Sequence, residues 1–508
     1  MKERIAHIGR WTIFVLMLSW LAWHLAVPVD FIRSDLGRHI TNGKLILQGN
    51  WDILYKNYYS YTDPQYPFVN HHWLFGVLCY VLWHYFGFTG LSLVYLLLEL
   101  LTFTIFFHCS RRHSSFLLAC AFALLSFPLI AFRNEPRPEG ISYLFCGIFL
   151  WMLESFRQNK MSSRSLAVAA CVLQVIWVNM HIFFIAGPVL TAFFWWQAYG
   201  DGQGSQARSL RRLFFLQLAM CLINPSGIRG FLAPFHINEA YAYWILENQP
   251  VSYFLKAGFM PWKSFALYFV FTLGLLVAGL GGLVRREGFK KHIVAVSLTA
   301  LLSLAAVTAV RLIGLYGFFW MPLSAYVYGR RLRNKNARLG KIMETVLLVL
   351  GIIVSASVNY NWKTRPFLGL APGSNRAAEF FKKEKISGPI FNNYDIGGYL
   401  IFHLSPRYKL FVDDRMEAFP PGFFSGTYVP MQMDNALWKK MDDRYHFNAI
   451  FFSLDVTPWA ARFMKDRFAD PAWATVYDTD KAIIWLKRNA QNAPVIRRYE
   501  IKAVYVQL

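Results

Sequence analysis

A series of apolar runs constrains this chain most. Each run is close to the roughly 20 residues needed to cross a bilayer of about 30 Å, and they recur from residue 11 to residue 359. Inside hydrocarbon no water is available to the backbone, so such a segment folds as a helix that satisfies its own amides and carbonyls. Composition agrees: 56% of the 508 residues are hydrophobic and 18% aromatic, and the mean hydropathy of +0.31 lies outside the usual range of soluble domains. The first run, "WTIFVLMLSWLAWHLAVPV" (residues 11–29), follows the basic "MKERIAHIGR" and so has the outline of a signal peptide. Its length, its three tryptophans (Trp11, Trp20, Trp23) and the lack of a small-x-small cleavage site predict a retained anchor instead.

A formal net charge of +23 is high enough to suggest nucleic acid. The positions of the charges exclude that reading. Lys2/Arg4/Arg10, Arg111/Arg112, Arg157/Lys160/Arg164, Arg208/Arg211/Arg212, Arg285/Arg286/Lys290/Lys291 and "GRRLRNKNARLGK" (329–341) sit in short loops between apolar runs, as the positive-inside rule requires. They orient the chain and offer contacts to anionic membrane lipids. With every such cluster on the cytoplasmic side, the path begins with the anchor and a long outer loop, 30–72. The segment 72–88, "HWLFGVLCYVLWHYFGF", is too short to cross comfortably and is expected to lie at the outer interface or to re-enter. Spans follow at 89–112, 115–132, 140–156, 165–181, 182–199, 212–224, 264–284, 292–309, 311–328 and 342–359, for a total of about eleven.

The expected fold class is an α-helical polytopic membrane protein with a C-terminal extracytoplasmic α/β domain. Residues 1–359 form the transmembrane domain, including the outer loop 30–72, and residues 360–508 form the soluble domain. In that tail "GPIFNN", "RYKLFVDD", "FNAIFFSLD" and "KAIIWLKR" read as short buried strands, while "DIGGYLIFHL" and residues 375–385 read as helices. All six cysteines fall in the apolar portion as packing residues; none has CxxC spacing.

Six polar groups fall in the first outer loop or at outer ends of the spans, where an ionisable residue is a functional candidate by default. In "SDLGRHITNGKLILQGNWD" (34–52) a helix would put Asp35, Arg38 and His39 on one face, with Ser34 as a cap. "NHHWL" contributes Asn70, His71 and His72, which suit a phosphate, a metal or a helix anchor at headgroup level; HH is no zinc signature, so substrate contact is expected. "FRNEPRPEG" (132–140) carries Arg137 and Glu139 on a proline-stiffened backbone. Asn179 and His181, Asn224, and Arg311 complete the set; an always-charged guanidinium such as Arg311 at a span end suits a phosphate. In the tail Asp413, Asp414 and Arg415 read as a salt bridge at a strand end.

The order of these features resembles the GT-C superfamily of membrane glycosyltransferases. The chain is most similar to the bacterial branch containing lipid A aminoarabinose transferases and relatives of protein O-mannosyltransferases. "SDLGRHITNGKLILQGNWD" stands where those enzymes carry an acidic pair before Arg-Tyr, and "NHHWLFGVLCYVLWHYFG" where they carry a Lys/His-Pro-Pro stretch before Trp. Here the pair is reduced to Asp35 followed by Leu36, and the prolines are replaced by His71 and His72. "RPEGISYLF", "WVNMHIFFIAG", "INPSG" and "YDIGGYLIFHL…YKLFVDDR" resemble a bacterial subgroup of the same layout. The resemblance implies that Asp35 is the catalytic acidic residue of the first outer loop, acting as base on an acceptor hydroxyl or positioning the acceptor. Whether a divalent metal takes part is left open, and no other cofactor is implied.

The expected reaction is transfer of a sugar from a polyprenyl-phosphate-linked donor to a lipid, glycan or protein acceptor, with inversion. Arg311, Arg137 and Arg38 would stabilise the departing phosphate. His39, His71 and His72 would orient the acceptor or phosphate, with the remaining candidates contacting substrate. The expected location is the bacterial cytoplasmic (inner) membrane, with the N-terminus cytoplasmic. A flippase or transporter of lipid-linked saccharides is the alternative. Polar groups gathered at span ends, with no internal repeat, favour the enzyme over that reading. A non-catalytic scaffold would leave the polar residues of the loop without a role.

Overall fold

The computed structural model describes residues 2–236, 245–256, 260–333, 337–357, 366–454 and 457–501. Among them nine helices are long and apolar enough to cross a membrane: Glu3–Leu25, Trp73–Arg111, Pro138–Arg157, Ser163–Met180, Ile182–Gly200, Met260–Glu287, Phe289–Thr308, Val310–Leu332 and Arg338–Ser357. Two of the eleven expected spans fall short. Phe116–Ile130 has 15 residues and Gly204–Met220 has 17. Helix Phe116–Ile130 is buried along most of its length and packs against Ile313–Arg333 and Ala337–Ser357, so protein rather than lipid surrounds it. Residues 358–365, where the last expected span ends and the tail begins, lie outside the described residues, as does Asp455 at the end of "FNAIFFSLD".

The chain forms two compact units. The first comprises Met1–Val27, Ser92–Asn224 and Trp244–Leu368 and holds most of the long helices. Serines open two of its helices: Ser115 Oγ accepts from Leu118 N at 3.1 Å and Ser162 Oγ from Ser165 N at 3.0 Å. Large apolar side chains on its helices point outward, among them Val168, Val172, Val270, Phe271, Leu304 and Ile353. An apolar exterior over a packed interior is what a lipid surround demands, and the chain is a membrane protein.

The second unit comprises Pro28–Leu91, Pro225–Tyr243 and Gly369–Leu508, so the first loop and the helical limb after it fold with the tail. No single cut near residue 359 separates the two units. The tail carries a four-stranded sheet, β1 (Ile390–Asn392), β2 (Ala449–Ser453), β3 (Trp473–Asp478) and β4 (Ala482–Lys487), in the order β1-β2-β4-β3. The pair β1/β2 is parallel and the other two are antiparallel. Phe391, Trp438, Phe447, Phe452 and Phe463 pack on one another as its aromatic core. β3 was not expected from sequence, and "RYKLFVDD" is not a strand. Only Leu410 bridges Ile390 there, because Leu410 exchanges its backbone hydrogen bonds with Tyr59 and Tyr61, and the Asn392 side chain takes those of Phe411 and Val412.

Helix Trp73–Arg111 is broken at Gly87, whose φ of 64° and ψ of −169° belong to a region essentially reserved for glycine. The break divides the limb after the outer loop from the span proper, close to the boundary expected at residue 88.

Candidate functional site

In the second unit the helix Leu36–Leu47 begins at Asp35, with Leu36 N donating to Ser34 Oγ at 3.2 Å. Three- and four-residue spacing brings Asp35, Arg38 and His39 together as the sequence implies. Arg38 Nη2 donates to Asp35 Oδ2 at 3.3 Å, and His39 Nε2 lies 3.3 Å from the same oxygen. A partner 376 residues away completes the group: Arg38 Nε donates to Asp414 Oδ1 at 2.8 Å. The Arg38 side chain is 6% exposed and that of Asp35 24%, so the carboxylate is the accessible member. Burial pushes the Asp414 carboxyl up, to about 7; the Arg38 charge opposes this, and the Asp35 and Asp413 charges reinforce it.

The histidines gather beside this group. The rings of His39 and His72 meet edge to face at 5.6 Å between centroids, and those of His71 and His72 lie 4.0 Å apart. His71 Nδ1 lies 3.1 Å from Val69 O, and burial lowers its pKa, so the ring is neutral and donates that bond. Asn70 Nδ2 reaches Ile53 O at 3.4 Å and ties the loop to itself. Among the described residues no group of three or more His, Cys, Asp and Glu side chains is arranged to hold a metal ion. With Arg38 bound to both Asp35 and Asp414, these residues do not fit a metal centre.

Asp413 and Arg415 form a pair of their own. Arg415 donates to Asp413 from Nε at 2.8 Å and from Nη2 at 2.7 Å; both side chains are fully buried, and the guanidinium lies over the rings of Tyr59 and Phe68. The salt bridge expected from "VDDR" therefore holds for Asp413 and Arg415 but not for Asp414. A doublet of acids beside a single arginine was the available signal, since one carboxylate must look elsewhere.

The first unit holds a second charged group. Arg137 pairs with Glu135 at 3.0 Å and with Glu247 at 3.2 Å, while Arg133 pairs with Glu139 at 2.8 Å and also with Glu247. Burial alone would raise the Glu247 pKa; Arg133 and Arg137, with a smaller contribution from Arg311, instead hold it down at about 2. Arg311 is thus within electrostatic reach of Glu247. His181 Nδ1 lies 2.7 Å from Ser142 Oγ, which also accepts from Trp177 Nε1 at 2.8 Å. Asn179 donates to Val175 O and Ile223 O, and Asn224 to Cys221 O, so both serve helix ends. Sequence reasoning missed Arg133 and Glu247. Arg133 stands in the same "FRNEPRPEG" stretch as Arg137, but Glu247, a lone acid in "ILENQP", carries no local signal.

No protein-family model matches the sequence, and no curated protein matches it. Solved structures do. The chain is similar to the Archaeoglobus fulgidus oligosaccharyltransferase, crystallised with a tethered acceptor peptide containing the NVT sequon, at a TM-score of 0.58 and 10% identity over 95% of this chain and 74% of that one. It is also similar to ArnT from Cupriavidus metallidurans bound to undecaprenyl phosphate, at a TM-score of 0.52 and 13% identity over 94% of this chain and 98% of that one. At these identities the likeness is one of fold, and the fold is GT-C-like, as the order of sequence features implies.

Proposed function

We propose that this chain is a membrane glycosyltransferase that moves a sugar from a polyprenyl-phosphate-linked donor to a lipid, glycan or protein acceptor. One observation carries the reading. A partly exposed carboxylate, Asp35, opens a buried helix of the first loop and is steadied by Arg38 and His39, in a chain whose fold is shared with two transferases. Undecaprenyl phosphate in the ArnT structure supports the donor class.

In the proposed reaction Asp35 accepts the proton of the acceptor hydroxyl. The hydroxyl oxygen bonds to the anomeric carbon, and the bond from that carbon to the phosphate oxygen breaks, its electron pair leaving with the lipid phosphate. Attack opposite the leaving group inverts the anomeric centre. Arg133, Arg137 and Arg311, which belong to the first unit, are the cations proposed to bind a lipid phosphate, a role suited to bidentate guanidinium geometry. Glu139 pairs with Arg133, Glu135 with Arg137 and Glu247 with both, so a bound phosphate has to compete for Arg137 with Glu247. Arg38, bound by two carboxylates, is better suited to tuning Asp35 than to holding phosphate. Asn70, His71 and His72 are proposed to contact the acceptor, and Glu139, Asn179 and His181 to shape the donor site. The basic loops support a cytoplasmic N-terminus in a bacterial inner membrane, with the C-terminal unit outside and residues 1–359 providing the spans.

The test compares wild type with Asp35→Asn, supplied with radiolabelled polyprenyl-phosphate sugars and a membrane extract as acceptor pool. Loss of the base is expected to lower transfer by roughly 10²–10⁴-fold with the fold intact. If wild type transfers no sugar but label crosses the bilayer of reconstituted vesicles, the chain is a transporter.

A further inference from the structure

The stretch "YDIGGYLIFHL…YKLFVDDR" stood out in the sequence without a role, and the structure brings its two ends together against the first loop. Gly397 and Gly398 make this approach close. A Cβ on Gly397 would sit 2.7 Å from Asp413 Cα. One on Gly398 would sit 2.9 Å from Ser34 O, 3.0 Å from Asp35 Cα and 3.2 Å from Asp414 Oδ2. The glycine pair therefore lets the backbones around Asp35 and Asp413 both come close to the start of helix Gly397–Leu404. Asp413 is taken by Arg415, which leaves Asp414 to meet Arg38.

A carboxylate that holds a guanidinium in a two-bond fork is strongly stabilised as the anion and is a poor base. Here the guanidinium is divided. Asp414 takes Nε at 2.8 Å, and Asp35 is left with a single, longer contact of 3.3 Å to Nη2. The Arg38 side chain is 6% exposed, so water is a poor substitute partner, and loss of Asp414 leaves Asp35 as the carboxylate onto which its guanidinium can close.

We propose that Asp414 is a positioning residue for the transfer step: by holding Arg38 through Nε, it keeps the guanidinium from closing onto Asp35 and so preserves Asp35 as the base. The inference rests on the role proposed for Asp35.

The experiment measures transfer by the full-length protein, using whichever radiolabelled polyprenyl-phosphate sugar the wild type accepts. Asp414→Asn is expected to lower the rate at saturating donor by roughly 10- to 100-fold, the cost of a misplaced catalytic group, while the donor concentration giving half that rate stays unchanged. In an Asp35→Asn background the same substitution is expected to slow the residual reaction no further, because its effect runs through Asp35. A structural role would give multiplicative losses together with a lowered Tm. Asp414→Ser provides the same comparison if the Asn variant does not fold. Full-rate transfer by Asp414→Asn, or a further loss in the Asp35→Asn background, overturns the inference and leaves the transferase reading standing. A wild type that transfers no sugar overturns both.

Discussion

Arg415 is the clearest case of a charged residue whose role is packing. Its guanidinium is bound twice by Asp413, covered by Tyr59 and Phe68, and shut off from solvent. Removing one partner of a buried pair leaves an uncompensated charge, at a cost of about 3–5 kcal/mol, whereas replacing both with apolar groups of similar volume is often neutral. Arg415→Met is therefore expected to lower the Tm of detergent-solubilised protein sharply, and Asp413→Leu combined with Arg415→Met to recover much of the loss. Thermal unfolding followed by protease susceptibility reads both outcomes; a double variant as unstable as the single one would refute the pair as the cause. At this scale the Asp35, Arg38 and His39 face was legible because helical spacing is a local property. Asp414 and Glu247 were not, because nothing near them in sequence marks which arginine they meet.

Among the elements, helix Leu36–Leu47 is held by two close approaches at glycine. A Cβ on Gly37 would lie 2.5 Å from Gly398 O, and one on Gly43 would lie 2.1 Å from Gly76 O and 2.8 Å from Tyr80 Cβ. Backbone cannot yield as a flexible side chain does, so Gly43→Ala must push apart the helix carrying Asp35 and the limb starting at Trp73. A cost of about 1–3 kcal/mol is expected, typical of overpacking. Gly204→Ala, in open space, is expected to be neutral or slightly stabilising. Gly87→Ala should cost about 1–3 kcal/mol for a different reason, backbone strain at positive φ. Thermal melts of the three variants order them; a Gly43→Ala protein as stable as Gly204→Ala would mean the helices are not tightly apposed. Short elements were the ones misread. "RYKLFVDD" has the composition of a strand, but its edge is satisfied by the loop around Tyr59 and by the Asn392 side chain rather than by a neighbouring strand.

For the whole molecule, the first loop and the tail form one compact unit despite lying at opposite ends of the chain. Val29 and the 369–371 segment exchange backbone hydrogen bonds of 2.8 and 2.9 Å, and Tyr61 OH donates to Ile390 O at 2.9 Å. A chain shortened to end at residue 368 is expected to remain membrane-bound yet to expose Arg38, which is buried in the full chain, to rapid tryptic cleavage. Equal protection of Arg38 in both chains would show that the loop holds its shape without the tail. The sequence by itself determined the membrane class and most of the spans, because the free energy of placing an apolar run in lipid depends on that run alone. Only the tertiary structure decided which charges meet. Arg38 and Asp414 are 376 residues apart, and Arg137 and Glu247 are 110 apart. Closing longer loops costs only slightly more entropy, so sequence distance scarcely favours one carboxylate over another, and the choice falls to the close packing at Gly37, Gly397 and Gly398.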